Sequence, residues 1–176
     1  MSGAMTGEVH EGVDPFATPL EARDPLRQFR GRLAVPVTVI TSGAGNDRTG
    51  MTVSSLVVAE GEPGYIQFLA APTADLVDAI RRTKRFVVHV LETEHRALSE
   101  IFAGQRPSPG GLFATVPSSD GPWGPVLLDV PNRAFCSAAH ADEIGYSLLI
   151  TATIESIEIG ALEDPLLYFR GAYRHL

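Results

Sequence analysis

Short apolar runs separated by turns rich in glycine and proline dominate the pattern along the chain. The runs at 34–42 (AVPVTVITS), 49–60 (TGMTVSSLVVAE) and 65–71 (YIQFLAA) have the length and β-branched content of strands, with turn sequences between them. Pro36 predicts either an edge position for the first of them or a place in that strand's first residues, because proline has no N–H to donate within a sheet. Further strand-like runs lie at 86–91, 125–130, 134–141, 146–160 and 165–176. Closely spaced strands of this kind predict an antiparallel barrel rather than a parallel sheet.

Three segments, 24–33, 72–85 and 92–104, have the sequence features of helices. Asp24 followed by Pro25 is a typical helix start, and Thr73 is the expected N-cap of the second helix. The apolar faces of the second and third helices are formed by Leu76, Val77 and Ile80, and by Leu98, Ile101 and Phe102.

The pattern also sets the domain organisation. Residues 105–122 are rich in Pro, Gly and Ser and predict a long loop. Residues 1–22 lack periodicity and predict a flexible N-terminal arm. The remainder, 23–176, is expected to form a single α+β, mainly β, domain.

Composition excludes several classes of protein. The net charge of −7 and the pI near 5.2 argue against nucleic-acid binding, since proteins that track phosphates are usually basic. No apolar run approaches the roughly 18 residues that a membrane helix needs, and the N-terminus lacks the features of a secretory signal. Cys136 is the only cysteine, so no intramolecular disulfide can form and a cytoplasmic location is expected.

Familiar catalytic and metal-binding signatures are missing. The five histidines show no zinc-site spacing, so no metal is expected. His89 lies in an apolar strand and is expected to be a hydrogen-bonded core residue, and Cys136 an inert buried thiol. The basic cluster RRTKR (81–85) is interpreted as a solvated helix end.

The segment TGMTVSSL (49–56) carries the most informative polar residues. Thr52, Ser54 and Ser55 place three hydroxyls in a strand that otherwise reads as core, and a buried hydroxyl without a partner is costly. Together with the helix start in AAPTADL (70–76) and the arginine in YFRG (168–171), they could hold a flat ring that carries a phosphate. Alternatively, Ser54 and Ser55 bond to neighbouring backbone.

The order of motifs resembles that of the flavin reductase-like FMN-binding split-barrel proteins: RGRLAVPVTVITS, RTGMTVSSLVVAE, GYIQFLAA, AIRRTKRFVVHVL, IFAG, GPVL and DPLLYFRGAYRHL. The resemblance covers about residues 26–176, and GMTVSS and DPLLYFRGAYR are its most specific pieces. It implies a split β-barrel with peripheral helices that forms a homodimer and binds FMN, with FAD possible, near the subunit interface. It also implies NADH or NADPH as co-substrate and a flavin-dependent monooxygenase as a possible partner.

The resemblance assigns residues as well as an activity. The cofactor would be bound by Thr49, Gly50, Met51, Thr52, Val53, Ser54, Ser55, Leu69, Ala70, Ala71, Thr73, Phe169 and Arg170, and the nicotinamide by Tyr146 and Ser147. No side chain is expected to act as a catalytic nucleophile, because the flavin carries the hydride chemistry. A partly open barrel leaves strand edges and apolar faces that need covering, and the closing strands around Leu166, Leu167 and Tyr168, together with the N-terminal arm, are expected to provide that cover in the dimer.

Three positions depart from the family pattern. Thr73-Ala74-Asp75-Leu76 replaces the common Ser-Ser-Arg-Thr, and Asp75 would repel a phosphate. Gly145-Tyr146-Ser147 replaces the Gly-Asp-His of many family reductases, which predicts slow turnover with NADH and NADPH, and His89 stands where the family often has Asn. The alternatives are therefore a flavin carrier without efficient NAD(P)H turnover and a barrel that binds another ligand, such as a deazaflavin or haem.

Overall fold

The computed structural model describes residues 24–176, so the expected N-terminal arm, 1–22, lies outside the described residues. Its helices are α1 (Pro25–Arg30), α2 (Asp75–Thr83) and α3 (Arg96–Phe102). Its strands are β1 (Val35–Pro36), β2 (Thr38–Ser42), β3 (Thr49–Val53), β4 (Val57–Ala59), β5 (Tyr65–Ala70), β6 (Arg85–Val90), β7 (Ser118–Gly121), β8 (Gly124–Leu127), β9 (Arg133–Ile144), β10 (Ser147–Glu158), β11 (Leu167–Phe169) and β12 (Ala172–Arg174).

The main sheet has seven strands in the order β3-β2-β6-β9-β10-β5-β4, and every neighbouring pair is antiparallel. If the sheet were flat, its end strands would lie roughly 29 Å apart at the usual strand spacing. Only residues 54–56 connect β3 to β4, however, and the four steps from Val53 to Val57 span at most about 15 Å. The sheet must therefore roll into a barrel, with 54–56 crossing the opening between its two ends. This confirms the predicted antiparallel split barrel.

The prediction of one strand over 49–60 is wrong in a way that matters for the site. β3 pairs with β2 in the expected hairpin, Thr38 opposite Val53 and Ser42 opposite Thr49. β4 instead pairs with β5 at the other end of the sheet. The apolar pattern continues through both strands because both lie on the barrel wall, so the pattern alone could not reveal the change of partner.

The barrel interior forms the first of two cores. Ile40, Phe68, Phe86 and Ile150 are buried there, and Phe68 meets Phe86 edge to face with ring centroids 5.6 Å apart. Helix α2 contributes the predicted apolar face, Leu76, Val77 and Ile80, to the same core. The predicted N-cap, Thr73, is wrong: Ala74 is the N-cap and provides no side-chain cap.

The second core lies on the other side of β2, beneath α3. Val39, Leu91, Phe102, Leu127 and Leu166 pack in it. The predicted loop 105–122 crosses this core, but its last residues form β7, which pairs with β8 in a two-stranded sheet. A third sheet, in the order β1-β11-β12, closes this side. The prediction of one strand over 34–42 is therefore wrong: β1, with Pro36, lies at the edge of this sheet, whereas β2 is an inner strand of the main sheet.

Two buried residues match their sequence predictions. His89 is fully buried and hydrogen-bonded at both ring nitrogens, to the Val39 carbonyl and to the Leu127 N–H. Cys136 is fully buried, and burial raises the pKa of its thiol to about 12. Within residues 24–176, no helix is both long enough and apolar enough to span a bilayer.

Candidate functional site

The connection between β3 and β4 brings the hydroxyl run to the end of β5. The Ser55 hydroxyl accepts a hydrogen bond from the Leu69 N–H at 3.0 Å and donates one to the Leu69 carbonyl at 3.2 Å. Ser55 therefore joins the two ends of the rolled sheet across its opening. For Ser55, this confirms the alternative that its hydroxyl bonds to the backbone of a neighbouring segment. The residue is nevertheless exposed at the surface.

The Thr52 hydroxyl also has a partner inside the protein. Side chains alternate along β3, so Met51 and Val53 pack against the barrel core while Gly50 and Thr52 face α3. Thr52 Oγ1 donates to the Ser99 carbonyl at 2.7 Å. A Cβ at position 50 would lie 2.7 Å from the Phe102 ring, so only glycine allows β3 to approach α3 this closely. A ligand could thus reach Thr52 through its backbone, while its hydroxyl serves the packing of α3.

Ser54 is the remaining hydroxyl of the three. It is half-buried, and no residue in the described part of the chain hydrogen-bonds to its side chain. Among residues 24–176, β3 is an end strand of the main sheet, so the backbone groups on its outer edge have no strand partner there. Ser54 and this edge are the polar groups of the segment that remain open to a ligand.

The N-terminus of α2 lies shortly after Leu69 in the chain. Ala71 is exposed and accepts a hydrogen bond from the Ala74 N–H, and Thr73 is exposed in the turn between them. The first N–H groups of a helix have no partner within the helix, and α2 has no side-chain cap. This end of α2 is thus suited to an anion, although Asp75 places a carboxylate in the first turn.

The β9–β10 hairpin reaches the same end of β5. Leu148 is the register partner of Ala70, so the preceding Ser147 lies beside the end of β5. Gly145 has φ +55°, as the two-residue turn requires, and the following Tyr146 is fully exposed. The structure therefore brings Tyr146 and Ser147 to the region of Ser55, Leu69 and Ala70.

Two predicted residues lie elsewhere. Phe169 is the last residue of β11 and Arg170 begins the turn to β12, and the Arg170 guanidinium lies over the Phe169 ring, 5.3 Å from its centroid. The Arg170 N–H donates to the Gly31 carbonyl, beside the end of α1. Within residues 24–176, no hydrogen bond or ion pair joins this turn to Ser54, Ser55 or Thr73.

A polar cavity lies at the opposite end of β3. Its volume is about 320 Å³, and it is lined by Asn46, Asp47, Arg48, Thr49, Asp75, Asp78, Arg82 and Leu112. Arg48 is held at its edge by an ion pair with Asp120, at 4.0 Å, and by the Phe113 ring. The cavity reaches Thr49 and the first turn of α2 at Asp75 and Asp78, whereas Ser54 and Ser55 lie at the far end of β3.

The titratable groups do not suggest side-chain catalysis. Burial lowers the pKa of His89 to about 3, and the hydrogen bond to Val39 opposes this only in part. His89 and Cys136 therefore stay neutral, and both are enclosed in the protein core. Among residues 24–176, no group of His, Cys, Asp and Glu side chains is arranged to hold a metal ion.

The support of β3 by α3 was not foreseen from the sequence. Ser99 is fully buried, and its side chain hydrogen-bonds to the Tyr173 hydroxyl at 2.9 Å. A serine and a tyrosine separated by 74 residues give no local signal of such a contact. The apolar spacing did place Phe102 in the core, but not against Gly50.

Comparisons with known proteins agree with this architecture. Residues 30–176 match the family described as flavin reductase like domain. NADH-dependent FMN reductase AsuE2 of Streptomyces nodosus subsp. asukaensis is 31% identical, with 99% of this chain and 94% of that protein covered. The reductase component of 4-hydroxyphenylacetate 3-monooxygenase of Thermus thermophilus is 25% identical, with 88% and 97% covered.

A solved structure extends the similarity to the fold. Flavin reductase PheA2 in its native state superimposes with a TM-score of 0.76 at 27% identity, covering 86% of this chain and 95% of that one. The family match spans most of the chain, and it includes β3, the opening of the barrel and the β9–β10 hairpin. This protein belongs to the flavin reductase-like domain family.

Proposed function

We propose that this protein is a flavin reductase that binds FMN and uses NADH to reduce it. The observation that carries the proposal is the grouping of three features around β3 and the end of β5. The 54–56 connection and the β9–β10 hairpin meet at Leu69 and Ala70, and the uncapped N-terminus of α2, which follows β5 in the chain, lines a cavity together with Thr49 of β3. They occur in a chain whose relatives include an NADH-dependent FMN reductase.

The polar groups present fit FMN. The edge of β3 and the Ser54 hydroxyl offer donors and acceptors to the polar rim of a flat ring, and the half-buried Ser54 has no other partner in the described chain. The first N–H groups of α2 and the Thr73 hydroxyl suit a phosphate. Thr49 to Ser55, Leu69 to Ala71 and Thr73 are thus the proposed binding residues. Bound flavin would supply the hydride-accepting chemistry.

The hairpin would position the nicotinamide. Hydride transfer needs two rings held about 3–3.5 Å apart in a reactive orientation. Ser147 lies beside the end of β5, and Tyr146 projects freely from the turn. In this proposal Tyr146 supplies a stacking surface and Ser147 a hydrogen-bonding group, in place of an imidazole.

A homodimer is part of the proposal, although with a different interface from the one expected. Leu166 is 1% exposed inside the second core, and β11 is the central strand of its sheet, so neither is placed to cover a partner subunit. Among the exposed apolar side chains are two neighbours on end strand β4, Val57 and Val58, which are 58% and 59% exposed. Their side chains point to opposite faces, so within residues 24–176 neither face of β4 is covered. A second copy of the chain is the proposed cover.

The same surface borders the proposed flavin site. Leu69 is 40% exposed on β5, and it is the residue that Ser55 contacts. A second copy on β4 and β5 would therefore supply a wall of the site that one chain leaves open. Phe169 and Arg170 make no hydrogen bond or ion pair with Ser54, Ser55 or Thr73 within residues 24–176, and in this proposal they contact the flavin held by the partner subunit.

The proposed physiological role is to provide reduced flavin to a flavin-dependent monooxygenase in the cytoplasm. A relative named as a monooxygenase reductase component supports the kind of partner, and a single buried thiol is compatible with a reducing compartment. FAD is the alternative flavin.

The test is NADH oxidation by the purified protein, followed at 340 nm in air, with FMN, with FAD and without flavin. The expected result is flavin-dependent oxidation that is faster with NADH than with NADPH. Fluorescence titration would measure flavin binding separately. Tight FMN binding with no NADH oxidation would instead show a flavin carrier, and an absence of flavin binding would contradict the whole proposal.

A further inference from the structure

A continuous series of contacts joins the last strand of the chain to β3. The Tyr173 hydroxyl meets Ser99 Oγ at 2.9 Å, and the Ser99 carbonyl accepts the hydrogen bond from Thr52 at 2.7 Å. Ser99 is fully buried, so neither of its bonds is exchanged with water. Val53 and Ser54 follow Thr52 directly, and they lead into the connection that crosses the opening of the barrel.

The Tyr173 ring is itself held from two sides. It meets the Tyr168 ring edge to face at 5.4 Å, and the Arg96 guanidinium lies 5.4 Å from its centroid. The hydroxyl therefore has a fixed position from which to bond to Ser99. Burial is the main reason that the pKa of Tyr173 is raised, so its hydroxyl remains protonated.

β3 depends on such support because, in the part of the chain that the structure describes, it pairs with a strand on one side only. Its outer face rests on α3, a helix of seven residues. β3 contacts α3 where Gly50 packs closely against the Phe102 ring and where the Thr52 hydroxyl donates to the Ser99 carbonyl. A short helix that moved along β3 would disturb the same residues to which the flavin is proposed to bind.

We propose that Tyr173 is a positioning residue for the flavin site: through Ser99, its hydroxyl fixes α3 against β3 and so holds Val53–Ser55 in the conformation that binds flavin. The proposal rests on the flavin-reductase function proposed above. It assigns a purpose to a polar contact that packing alone does not require, since a phenylalanine would fill the same volume.

Three variants separate positioning from simple stability. Tyr173→Phe removes only the hydroxyl, and it leaves Ser99 Oγ buried without a partner, which destabilises the fold. Ser99→Ala combined with Tyr173→Phe removes both partners, so stability should return towards that of the wild type. Tyr168→Phe is the matched control, because within residues 24–176 the Tyr168 hydroxyl has no hydrogen-bond partner.

Two measurements are made on each full-length variant: the Kd for FMN by fluorescence titration, and amide hydrogen exchange of β3 in the flavin-free protein. We expect the Kd to rise roughly fivefold in both the single and the double variant, the effect of about one hydrogen bond. Exchange in β3 should be faster in both, and the control should match the wild type.

The double variant decides the question. If its stability recovers while its Kd and β3 exchange stay altered, the hydroxyl pair positions the site. If both recover together with stability, the contact serves only the fold and the proposal is overturned. Failure of the wild-type protein to bind FMN would refute the proposed function and, with it, the role in flavin binding, whereas the exchange measurement would still show whether Tyr173 fixes β3.

Discussion

Asp75 affects the proposed phosphate site in two opposing ways. Its carboxylate in the first turn of α2 stabilises the helix through the helix dipole. The same negative charge repels a phosphate that approaches the N–H groups of that turn. The residue thus favours the helix and disfavours the proposed ligand.

Asp75→Asn should therefore tighten FMN binding by several-fold, and the gain should shrink as salt is added, because screening weakens the repulsion. Riboflavin, which has no phosphate, should bind equally well to both proteins. Asp78→Asn is the control, since Asp78 is already paired with Arg81 at 3.2 Å. Fluorescence titrations at low and high salt measure the effect. An equal gain for riboflavin would contradict the assigned phosphate position.

His89 makes stability depend on pH. The Leu127 N–H donates to Nε2, so the proton is on Nδ1 and is donated to Val39. Burial lowers the pKa of His89 from 6.5 to about 3. As the pH falls below 6.5, the unfolded chain takes up a proton that the folded chain rejects, so the free energy of unfolding decreases down to a pH of about 3.

Between pH 7 and pH 5 this histidine should account for a loss of about 2 kcal/mol in the free energy of unfolding. His89→Asn keeps one donor and one acceptor but cannot titrate. Between pH 7 and pH 5, the free energy of unfolding of this variant should therefore fall by about 2 kcal/mol less than that of the wild type. Urea unfolding at the two pH values measures the difference. Equal losses in the two proteins would show that His89 is not the responsible group.

At the scale of elements, the opening of the barrel separates the roles of two adjacent serines. Ser55 bonds to both backbone groups of Leu69, whereas within residues 24–176 the Ser54 side chain has no such partner. Ser55→Ala should lower the stability of the flavin-free protein by roughly 1 kcal/mol. Ser54→Ala should leave that stability unchanged and raise the Kd for FMN a few-fold. Urea unfolding and flavin titration of the two variants measure these effects. A stability loss in Ser54→Ala, or unchanged stability in Ser55→Ala, would contradict the prediction.

The β9–β10 hairpin allows a test of the nicotinamide position. Because Tyr146 is fully exposed, replacing Tyr146 and Ser147 with Asp and His should not disturb the fold. The family resemblance predicts faster reduction of bound FMN by NADH in this double variant, measured by stopped flow. Wild-type reduction already in the ordinary enzyme range, about 1–10³ s⁻¹, would show that Gly145-Tyr146-Ser147 is sufficient.

At the scale of the whole molecule, the apolar face of β4 leads to a prediction about assembly. Val57→Asp places a charge on the proposed interface, where its desolvation would be costly. The expected result is a shift from dimer to monomer in light scattering, accompanied by weaker flavin binding. Ile159→Asp is the matched control, because Ile159 is 86% exposed and lies outside β4 and β5. A wild-type protein that is monomeric at micromolar concentration would contradict the dimer.

The sequence determined most of the elements, because their signals are local. The turns at 43–48 and 61–64, the apolar face of α2 and the Asp24–Pro25 helix start depend on neighbouring residues, and the structure confirms them. The burial of His89 and Cys136 followed from the apolar strands around them. The motif order also identified the family.

Tertiary structure alone decided what the polar groups contact. Thr52 meets Ser99 across 47 residues and Ser55 meets Leu69 across 14, so no local pattern could tell a hydroxyl that holds the fold from one that remains open to a ligand. The change of strand partner after Val53 arises because the sheet rolls up, and Leu166 is covered by its own chain because α3 and the 105–117 segment close over it. The apolar periodicity of a segment predicts whether a side chain is buried. Which residue that side chain contacts depends on how the fold brings distant segments together.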